Sequence, residues 1–249
     1  VRVPQTKVTA VAAQIQQALS KRKISLVCIQ SIVGSLNFLC KAVAPGRAFL
    51  RRLIALTQGL SRPYHKVRIS KGARLDLLAW LEFLTHFNGV AVFSSVWQSN
   101  EALDLFTDAA GSIGFGAYFN GKWVQGLWPE YFLNNPPSIA FLEFFPLLVA
   151  LYCWAPLLAG KRVMFHSDNS AVVHIMNQKS SHCPQIMSLV RPFVVHCLKF
   201  NILFKAVHVP GKLNVIADAL SRFQMRRFRE AAPQADPVMT PLPVLPQLW

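Results

Sequence analysis

Four acidic residues occupy positions in this sequence that suit metal-dependent chemistry. The chain has only 11 acids, and four of them lie at predicted strand ends or helix starts: Asp108, Glu143, Asp168 and Asp218. In an open sheet, strand ends and helix starts on one side gather in one crevice. Four carboxylates gathered there would repel one another unless cations lay between them.

Such a cluster suits Mg²⁺, a hard cation that takes carboxylate oxygens and keeps several waters. Two such ions about 4 Å apart can activate a water and stabilise the leaving oxygen of a phosphodiester. Each acid also has an ordinary explanation: a turn residue (Asp108), a helix N-cap (Asp168), a helix-dipole partner (Asp218) or a helix-end charge (Glu143). Because all four occur in this order of elements, we favour metal-dependent phosphodiester hydrolysis.

The elements that must position these acids begin near Leu103. Three short segments, "LDLFTDAA", "IGFGAYF" and "KWVQGLW", predict a strand meander, with Gly111 and Asn120–Gly121 as turn signals. A long helix, a strand, two helices, a strand and a final helix follow, which predicts an α/β domain on one mixed sheet. Pro146 would break a helix that is already running, so we expect the long helix to begin near Phe144 or to kink.

The first part of the chain is strongly basic and reads as helices over residues 8–96. Residues 1–100 carry 14 Lys and Arg against two acids, which favours a polyanionic partner such as nucleic acid over a merely solvated surface or an anionic membrane. The candidate phosphate-binding residues cluster around the third predicted helix and the loop after it: Arg47, Arg51, Arg52, Arg62, Lys66, Arg68, Lys71 and Arg74. Each of them could instead belong to a solvated helix face.

These patterns predict three regions: a small all-α basic domain over 1–98, an α/β domain over 99–222, and a Pro-rich tail or linker over 223–249. The apolar stretch 139–160 is long enough to cross a membrane, but Glu143 and two prolines within it favour a buried helix and no membrane partner. Five cysteines at irregular spacing, without a signal peptide, predict an intracellular chain of the cytoplasm or nucleus. The His-Cys pairs at 182–183 and 196–197 are weak zinc candidates.

Four blocks of the sequence resemble, in order and spacing, the ribonuclease H domain attached to retrotransposon reverse transcriptases. They are "FTDAAGSIGFGAYF", "FLEFF", "FHSDNSA" and "HVPGKLNVIADALSR". The last block is similar to the version in gypsy-like and DIRS-like elements. The segment "GSLNFLCKAVAPGRAFLRRL" further resembles the link between polymerase and ribonuclease H in DIRS-like elements, so the resemblance covers roughly residues 25–222.

The resemblance implies a ribonuclease H-like five-stranded mixed sheet flanked by helices. It also implies cleavage of the RNA strand of an RNA–DNA hybrid, with two Mg²⁺ or Mn²⁺ ions held by an Asp-Glu-Asp-Asp set. Carried over motif by motif, the catalytic and metal-binding positions are Asp108, Glu143, Asp168 and Asp218. The family often adds a His ten residues before the last Asp, and His208 has that spacing.

Three further polar residues are candidates for a role at the site, and two of them, His208 and Asn214, have a second interpretation. His208 could assist proton transfer or product release, or it could be a strand-end histidine that bonds to the backbone. Asn169 and Asn214 could contact the hybrid, in which the 2′-hydroxyl marks the RNA strand. Asn214 is equally well explained as the N-cap of the last helix.

The chain contains no Asp-Asp pair, so the Tyr-x-Asp-Asp block of the polymerase palm is missing and we expect no DNA synthesis from it. The resemblance then implies the end of a reverse transcriptase, partnered by the rest of the polyprotein. The alternatives are a catalytically silent retroelement remnant that binds nucleic acid and a protein-interaction module that docks through its basic helices.

Overall fold

The computed structural model describes residues 3–86, 96–211 and 214–245. The chain divides into two compact units, Val1–Val92 and Phe93–Trp249. Helices and several small sheets together make a mixed α/β protein.

In the described part of the first unit, residues 3–86, there are four helices, a 3₁₀ turn and two short strands. In chain order these are α1 (Gln5–Leu19), β1 (Lys23–Ser25), α2 (Leu26–Leu39), the 3₁₀ turn (Ala44–Phe49), α3 (Arg51–Ala55), β2 (Lys66–Arg68) and α4 (Lys71–His86). Apolar side chains at helical spacing form its core, and Ile15, Ile29, Leu36, Leu53 and Trp80 are fully buried.

The expectation of an all-α first domain is wrong. β1 and β2 pair antiparallel as a two-stranded ribbon, with Lys23 opposite Arg68 and Ser25 opposite Lys66. Each strand has three residues, too few to produce a recognisable alternating pattern. The predicted third helix is also much shorter than its apolar pattern suggested, because a 3₁₀ turn precedes the five-residue α3.

The second unit carries the candidate acids. Its elements are β3 (Trp97–Gln98), α5 (Asn100–Leu103), β4 (Leu105–Ala110), β5 (Gly114–Phe119), β6 (Lys122–Leu127), α6 (Glu130–Asn134), α7 (Ile139–Leu158), β7 (Arg162–Ser167), α8 (Ser170–Gln178), α9 (Pro184–Lys199), β8 (Leu203–His208), α10 (Val215–Ser221) and α11 (Met225–Ala231). Trp97 and Gln98 pair with β7, so they belong to this unit.

The predicted meander is confirmed as the antiparallel sheet β4-β5-β6. Asn120 and Gly121 both have positive φ, 46° and 85°, and form the two-residue turn between β5 and β6. All six residues of β5 are buried. Side chains alternate along it, so Phe115 contacts Phe145 of α7 while the next residue, Gly116, meets α10.

The expected single five-stranded sheet is not present in the described residues. The described residues of the second unit form two three-stranded sheets instead, antiparallel β4-β5-β6 and parallel β3-β7-β8. β8 pairs with β7 along its whole length on one edge, and on the other edge Arg162 and Val163 pair with β3, whereas no ladder joins β7 to β4. The hydrophobic pattern identified all of these strands except β3, but it contained nothing about which strand edges would pair.

Helix α7 runs through its prolines. It begins at Ile139, where the Ser138 hydroxyl accepts a hydrogen bond from the amide of Phe141 (3.3 Å), and it continues across Pro146. The expectation of a start near Phe144 is therefore wrong. Among the described residues α7 is long and apolar enough to cross a membrane, yet 67% of its apolar window is buried inside the fold. A core helix has this character.

The tail was predicted to be a linker, but its residues between 225 and 240 include a helix that packs on the second unit. Phe228 of α11 is fully buried against Tyr118 and Trp123 of the meander. The Trp123 indole donates to the Asp236 carbonyl (2.8 Å), and the Thr240 amide donates to the Trp123 carbonyl (2.8 Å). The segment thus packs on the face of β5 and β6 that also contacts α10.

Candidate acidic active site

Asp108 is placed by the register of the meander. It lies opposite Gly116 in the β4–β5 ladder, so both residues face α10. A Cβ at Gly116 would lie only 2.8 Å from the Ser221 amide nitrogen and 3.0 Å from the Ala217 carbonyl, so α10 packs directly on the backbone there. The strand continues to Ala110, which puts Asp108 within β4 and not at its end.

The close approach of α10 gives Asp108 a hydroxyl partner. The fully buried Ser221 donates from Oγ to Oδ2 of Asp108 at 2.6 Å. Burial raises the pKa of Asp108 and the charges of Asp218 and Asp168 raise it further, while the Ser221 hydrogen bond works in the opposite direction. The net direction is upward.

Glu143 lies in the second turn of α7 and is half-buried. Burial raises its pKa to about 8, and the charges of Asp108 and Asp168 contribute to the rise. A carboxyl group with this pKa is mostly protonated at neutral pH. The effect of these two charges indicates that Glu143, Asp108 and Asp168 belong to one electrostatically coupled group.

Asp168 follows β7 directly, as the sequence predicted, and its side chain is exposed. A Cβ at Gly211 would collide with the Asp168 carboxyl group, so the Pro-Gly turn after β8 passes close to this acid. His208 ends β8, where its Nε2–H donates to the backbone carbonyl of Asp168 at 3.0 Å. This contact agrees with the interpretation of His208 as a strand-end histidine that bonds to the backbone.

Asp218 lies in the first turn of α10 and forms ion pairs with two arginines. Arg222 Nε is 2.7 Å from Oδ1, and one guanidinium nitrogen of Arg227 is 2.5 Å from Oδ2. Burial works to raise the pKa of Asp218, but the hydrogen bonds and charges of the two arginines bring the pKa below its usual value. Asp218 is therefore ionised, and the two guanidinium groups already balance its negative charge.

The two asparagines have structural partners. Asn169 is the N-cap of α8, and its Oδ1 accepts from the amides of Ala171 (3.0 Å) and Val172 (3.2 Å). Asn214 occupies the N-cap position of α10, as one interpretation required, but its side chain caps no amide of that helix. Its Nδ2 instead donates to the Thr107 carbonyl of β4 at 2.8 Å. Asn214 thereby ties the start of α10 to the strand that carries Asp108.

The donor chemistry of Asp108, Glu143 and Asp168 fits Mg²⁺ or Mn²⁺, since all three offer carboxylate oxygens near other negative charges. Asp218 does not fit as it lies, because each of its oxygens is held by a guanidinium group. Within residues 3–86, 96–211 and 214–245, no three His, Cys, Asp or Glu side chains are arranged to hold a metal ion. The charges of these acids therefore affect one another's pKa values, but their oxygens do not already form a coordination shell for a metal ion.

The predicted basic residues of the first unit separate into two groups. Arg52 and Arg74 serve the fold: Arg52 pairs with the buried Asp76 (3.5 Å), and Arg74 donates to the carbonyls of Leu19 and Lys21. The other predicted members described as exposed are Arg47, Arg62, Lys66, Arg68 and Lys71, while Arg51 is half-buried.

The β1–β2 ribbon has one apolar and one cationic face. Ile24 is buried, whereas Lys23, Lys66 and Arg68 are exposed. The pairing of Lys23 with Arg68 places their side chains on the same face, and Lys66 is two residues from Arg68 on that face. We call these three residues the basic ribbon face. Lys23 was absent from the predicted set because it precedes the predicted cluster in sequence.

No protein-family model matches the sequence, and the comparison with curated proteins finds no match. Among solved structures, the chain is similar to the foamy viral protease-reverse transcriptase dRH in complex with double-stranded DNA, with 13% sequence identity and a TM-score of 0.29. The similarity covers 81% of this chain and 35% of that chain. A TM-score this low does not establish a shared fold.

Three residues that contact the acids were not predicted: Ser221, Arg222 and Arg227. Arg222 was open to prediction, since it follows Asp218 by four residues on a helix. Ser221 follows Asp218 by three, but its contact with Asp108 depends on the packing of α10 on β5. Arg227 lies in the tail, and no pattern in the sequence indicates that α11 turns back toward Asp218.

Proposed function

We propose that the chain is a metal-dependent, ribonuclease H-type endonuclease that cleaves the RNA strand of RNA–DNA hybrids. The observation that carries the proposal is the charge coupling of Asp108, Glu143 and Asp168, three acids from separate elements of the second unit. These are the acids of the first three blocks that resemble the retroelement ribonuclease H family. Coupled carboxylates in a half-buried setting suit Mg²⁺-assisted phosphodiester hydrolysis.

The hydrolysis would proceed by attack of a water on the RNA phosphodiester, with departure of the 3′-oxygen as a hydroxyl and a 5′-phosphate on the other fragment. Divalent ions would supply activation of the water and stabilisation of the leaving oxygen. Asp108, Glu143 and Asp168 are the residues suited to hold them. His208 is oriented by its bond to the Asp168 carbonyl, with Nδ1 as the ring nitrogen left for a proton.

The basic ribbon face supports a nucleic-acid substrate. The first unit has two acids, Asp76 and Glu82, against 14 Lys and Arg, and Asp76 is buried beside Arg52. Lys23, Lys66 and Arg68 are exposed cations in a unit with a large excess of positive charge, which suits phosphate groups. The proposal further implies an intracellular chain that works as the end of a reverse transcriptase polyprotein.

A direct test uses an RNA–DNA hybrid with a different label on each strand, incubated with the protein and Mg²⁺. We expect the RNA strand to be cut and the DNA strand to remain whole. An intact hybrid with both Mg²⁺ and Mn²⁺, under conditions in which the protein binds it, would contradict the proposal.

That outcome would favour a second candidate function, a module that binds nucleic acid without cutting it. One observation favours this candidate specifically, namely that Arg222 and Arg227 already neutralise Asp218. A protein-interaction role would instead give salt-insensitive binding to a protein and no salt-dependent binding to the hybrid.

A further inference from the structure

The parallel sheet β3-β7-β8 has one buried face and one face that stays partly open. Phe165 of β7 and Phe204 of β8 are buried, and both rings contact Phe193 of α9, with ring centroids 5.8 and 5.0 Å apart. Because side chains alternate along a strand, the residues between the buried ones lie on the opposite face. The half-buried or exposed side chains of that opposite face include Arg162, Met164, Leu203, Lys205 and Val207. We call these five residues, with Trp97, the open sheet face.

Trp97 of β3 lies beside two cations of the open sheet face. Its register partner in β7 is Arg162, so both side chains are on the same side of the sheet. The guanidinium carbon of Arg162 is 5.8 Å from the Trp97 ring centroid, and Nζ of Lys205 is 4.4 Å from it. Among the described residues neither cation forms a salt bridge with an acid. Two cations without acidic partners are therefore held at one aromatic ring.

This combination suits single-stranded nucleic acid. Arg162 and Lys205 can take phosphate groups, and the half-buried indole of Trp97 offers aromatic surface to an unstacked base. A purely apolar protein partner would instead bury both charges without compensation, which is costly. The bases of a duplex already stack on one another, so they are not free to contact the ring. Charge and aromatic surface together thus favour a single strand.

The open sheet face leads toward the acidic group. β7 runs from Arg162 to Ser167, directly before Asp168, and β8 continues from Lys205 to His208. At about 3.3 Å per residue, Arg162 is roughly 20 Å from Asp168 along the sheet, and Lys205 is roughly 10 Å from His208. The cations thus lie along the same two strands that end at the candidate site.

We propose that the open sheet face binds a single strand of nucleic acid, with phosphates at Arg162 and Lys205 and a base against Trp97. The inference goes beyond the proposed function, which concerns a hybrid at the acidic group, and it does not require those acids to hold a metal ion. The face also differs from the basic ribbon face, which has cations but no aromatic ring.

The test measures binding of a labelled oligothymidylate to the full chain by fluorescence anisotropy at several KCl concentrations, with EDTA present. Each phosphate contact to a single strand contributes about 0.7 to the slope of log affinity against log salt. We therefore expect the double variant Arg162→Gln/Lys205→Gln to have a slope shallower by about 1.4. The matched control, Lys199→Gln/Arg226→Gln, removes the same charge from two exposed positions of the second unit and should keep the slope.

A substitution at Trp97 tests the base contact separately from charge. Trp97→Leu should weaken oligothymidylate binding by about fivefold or more with the salt slope unchanged, because base stacking is lost and no charge is removed. Trp97→Phe keeps a ring on which a base can stack and should bind within about twofold of the wild type. Blunt double-stranded DNA should bind equally well to Trp97→Leu and to the wild type.

Several results would overturn the inference: no oligothymidylate binding by the wild type, equal slopes for the two double variants, unchanged affinity of Trp97→Leu, or equal losses for Trp97→Leu and Trp97→Phe. An equal loss on duplex and single strand would also overturn it, because the face would then contact the phosphate backbone alone. The predicted single-strand results without hybrid cleavage would contradict only the proposed function. Hybrid cleavage with oligothymidylate binding unaffected by these variants would contradict only the inference.

Discussion

At the scale of single residues, Glu143 carries the strongest electrostatic conflict in the site. Burial and the nearby Asp108 and Asp168 raise its pKa to about 8, whereas an unfolded chain ionises at an ordinary value near 4.5. Between these values the folded state keeps a proton that the unfolded chain has released. The free energy of unfolding must therefore fall as pH rises from about 4.5 to about 8.

We predict that Glu143→Gln removes much of this fall, because glutamine has no charge to acquire. The expected difference between the wild-type and Glu143→Gln profiles is about 2–3 kcal/mol between pH 5 and pH 9. This is less than the full value of about 1.4 kcal/mol per pKa unit, because a half-buried side chain is partly screened by solvent. Urea unfolding at a series of pH values, with a chelator present, measures it.

Glu130→Gln provides the control, since Glu130 is an exposed acid at the start of α6. Its profile should run parallel to that of the wild type. Parallel profiles for Glu143→Gln and the wild type would show that Glu143 is not the source of the pH dependence.

Several residue positions could be predicted from the sequence and others could not. Asp168 directly after β7 and Asp218 in the first turn of α10 follow from local periodicity. The partner of Asn214 does not, because a side chain at a helix start can cap its own helix or bond elsewhere. Only the tertiary packing directs it to the Thr107 carbonyl.

At the scale of elements, the β1–β2 ribbon is the clearest departure from the sequence pattern. Propensity assigned residues 8–96 to helices, and the ribbon forms because distant three-residue segments pair. Its buried residue is Ile24 and its exposed residues are the three cations of the basic ribbon face. The pairing alone therefore brings together charges that lie more than 40 residues apart in sequence.

We predict that replacing Lys23, Lys66 and Arg68 with Gln weakens binding to an RNA–DNA hybrid and reduces its dependence on salt. Each phosphate contact contributes about 0.9 to the slope of log affinity against log salt. The slope should therefore become shallower by about 2 to 3. Fluorescence anisotropy with a labelled hybrid at several KCl concentrations measures both quantities.

The matched control replaces three exposed cations elsewhere, Lys7, Lys41 and Arg226, with Gln. It removes the same net charge and should leave most of the slope intact. If both triple variants lose the same slope, the effect belongs to total charge and the ribbon is not the contact surface.

At the scale of the whole molecule, the second unit is completed by residues that looked like a linker. The Pro-rich composition of 223–249 concealed one buried aromatic residue, Phe228, whose neighbours Tyr118 and Trp123 are about 100 residues earlier in the chain. The other buried residues of the segment are two alanines, Ala232 and Ala235, and one aromatic ring with two small side chains is too weak a pattern to predict a packed helix. The same packing brings Arg227 to Asp218.

The pairing of the strands into sheets also could not be predicted from the sequence. Every strand of the second unit except the two-residue β3 was predicted, and so was the meander turn at Asn120–Gly121. The division into β4-β5-β6 and β3-β7-β8 was not. Edge pairing depends on long-range geometry, which apolar alternation along one strand does not encode.

The central claim is that the acids centred on Asp108 hydrolyse the RNA strand of a hybrid. Its most direct test is the initial rate of RNA cleavage, with Mg²⁺, by the wild type, Asp108→Asn and Glu130→Gln. We predict that Asp108→Asn lowers the rate by about 100-fold or more, because a charge-bearing oxygen is lost at the reacting centre, and that Glu130→Gln leaves it unchanged. Equal rates for the wild type and Asp108→Asn would contradict the account.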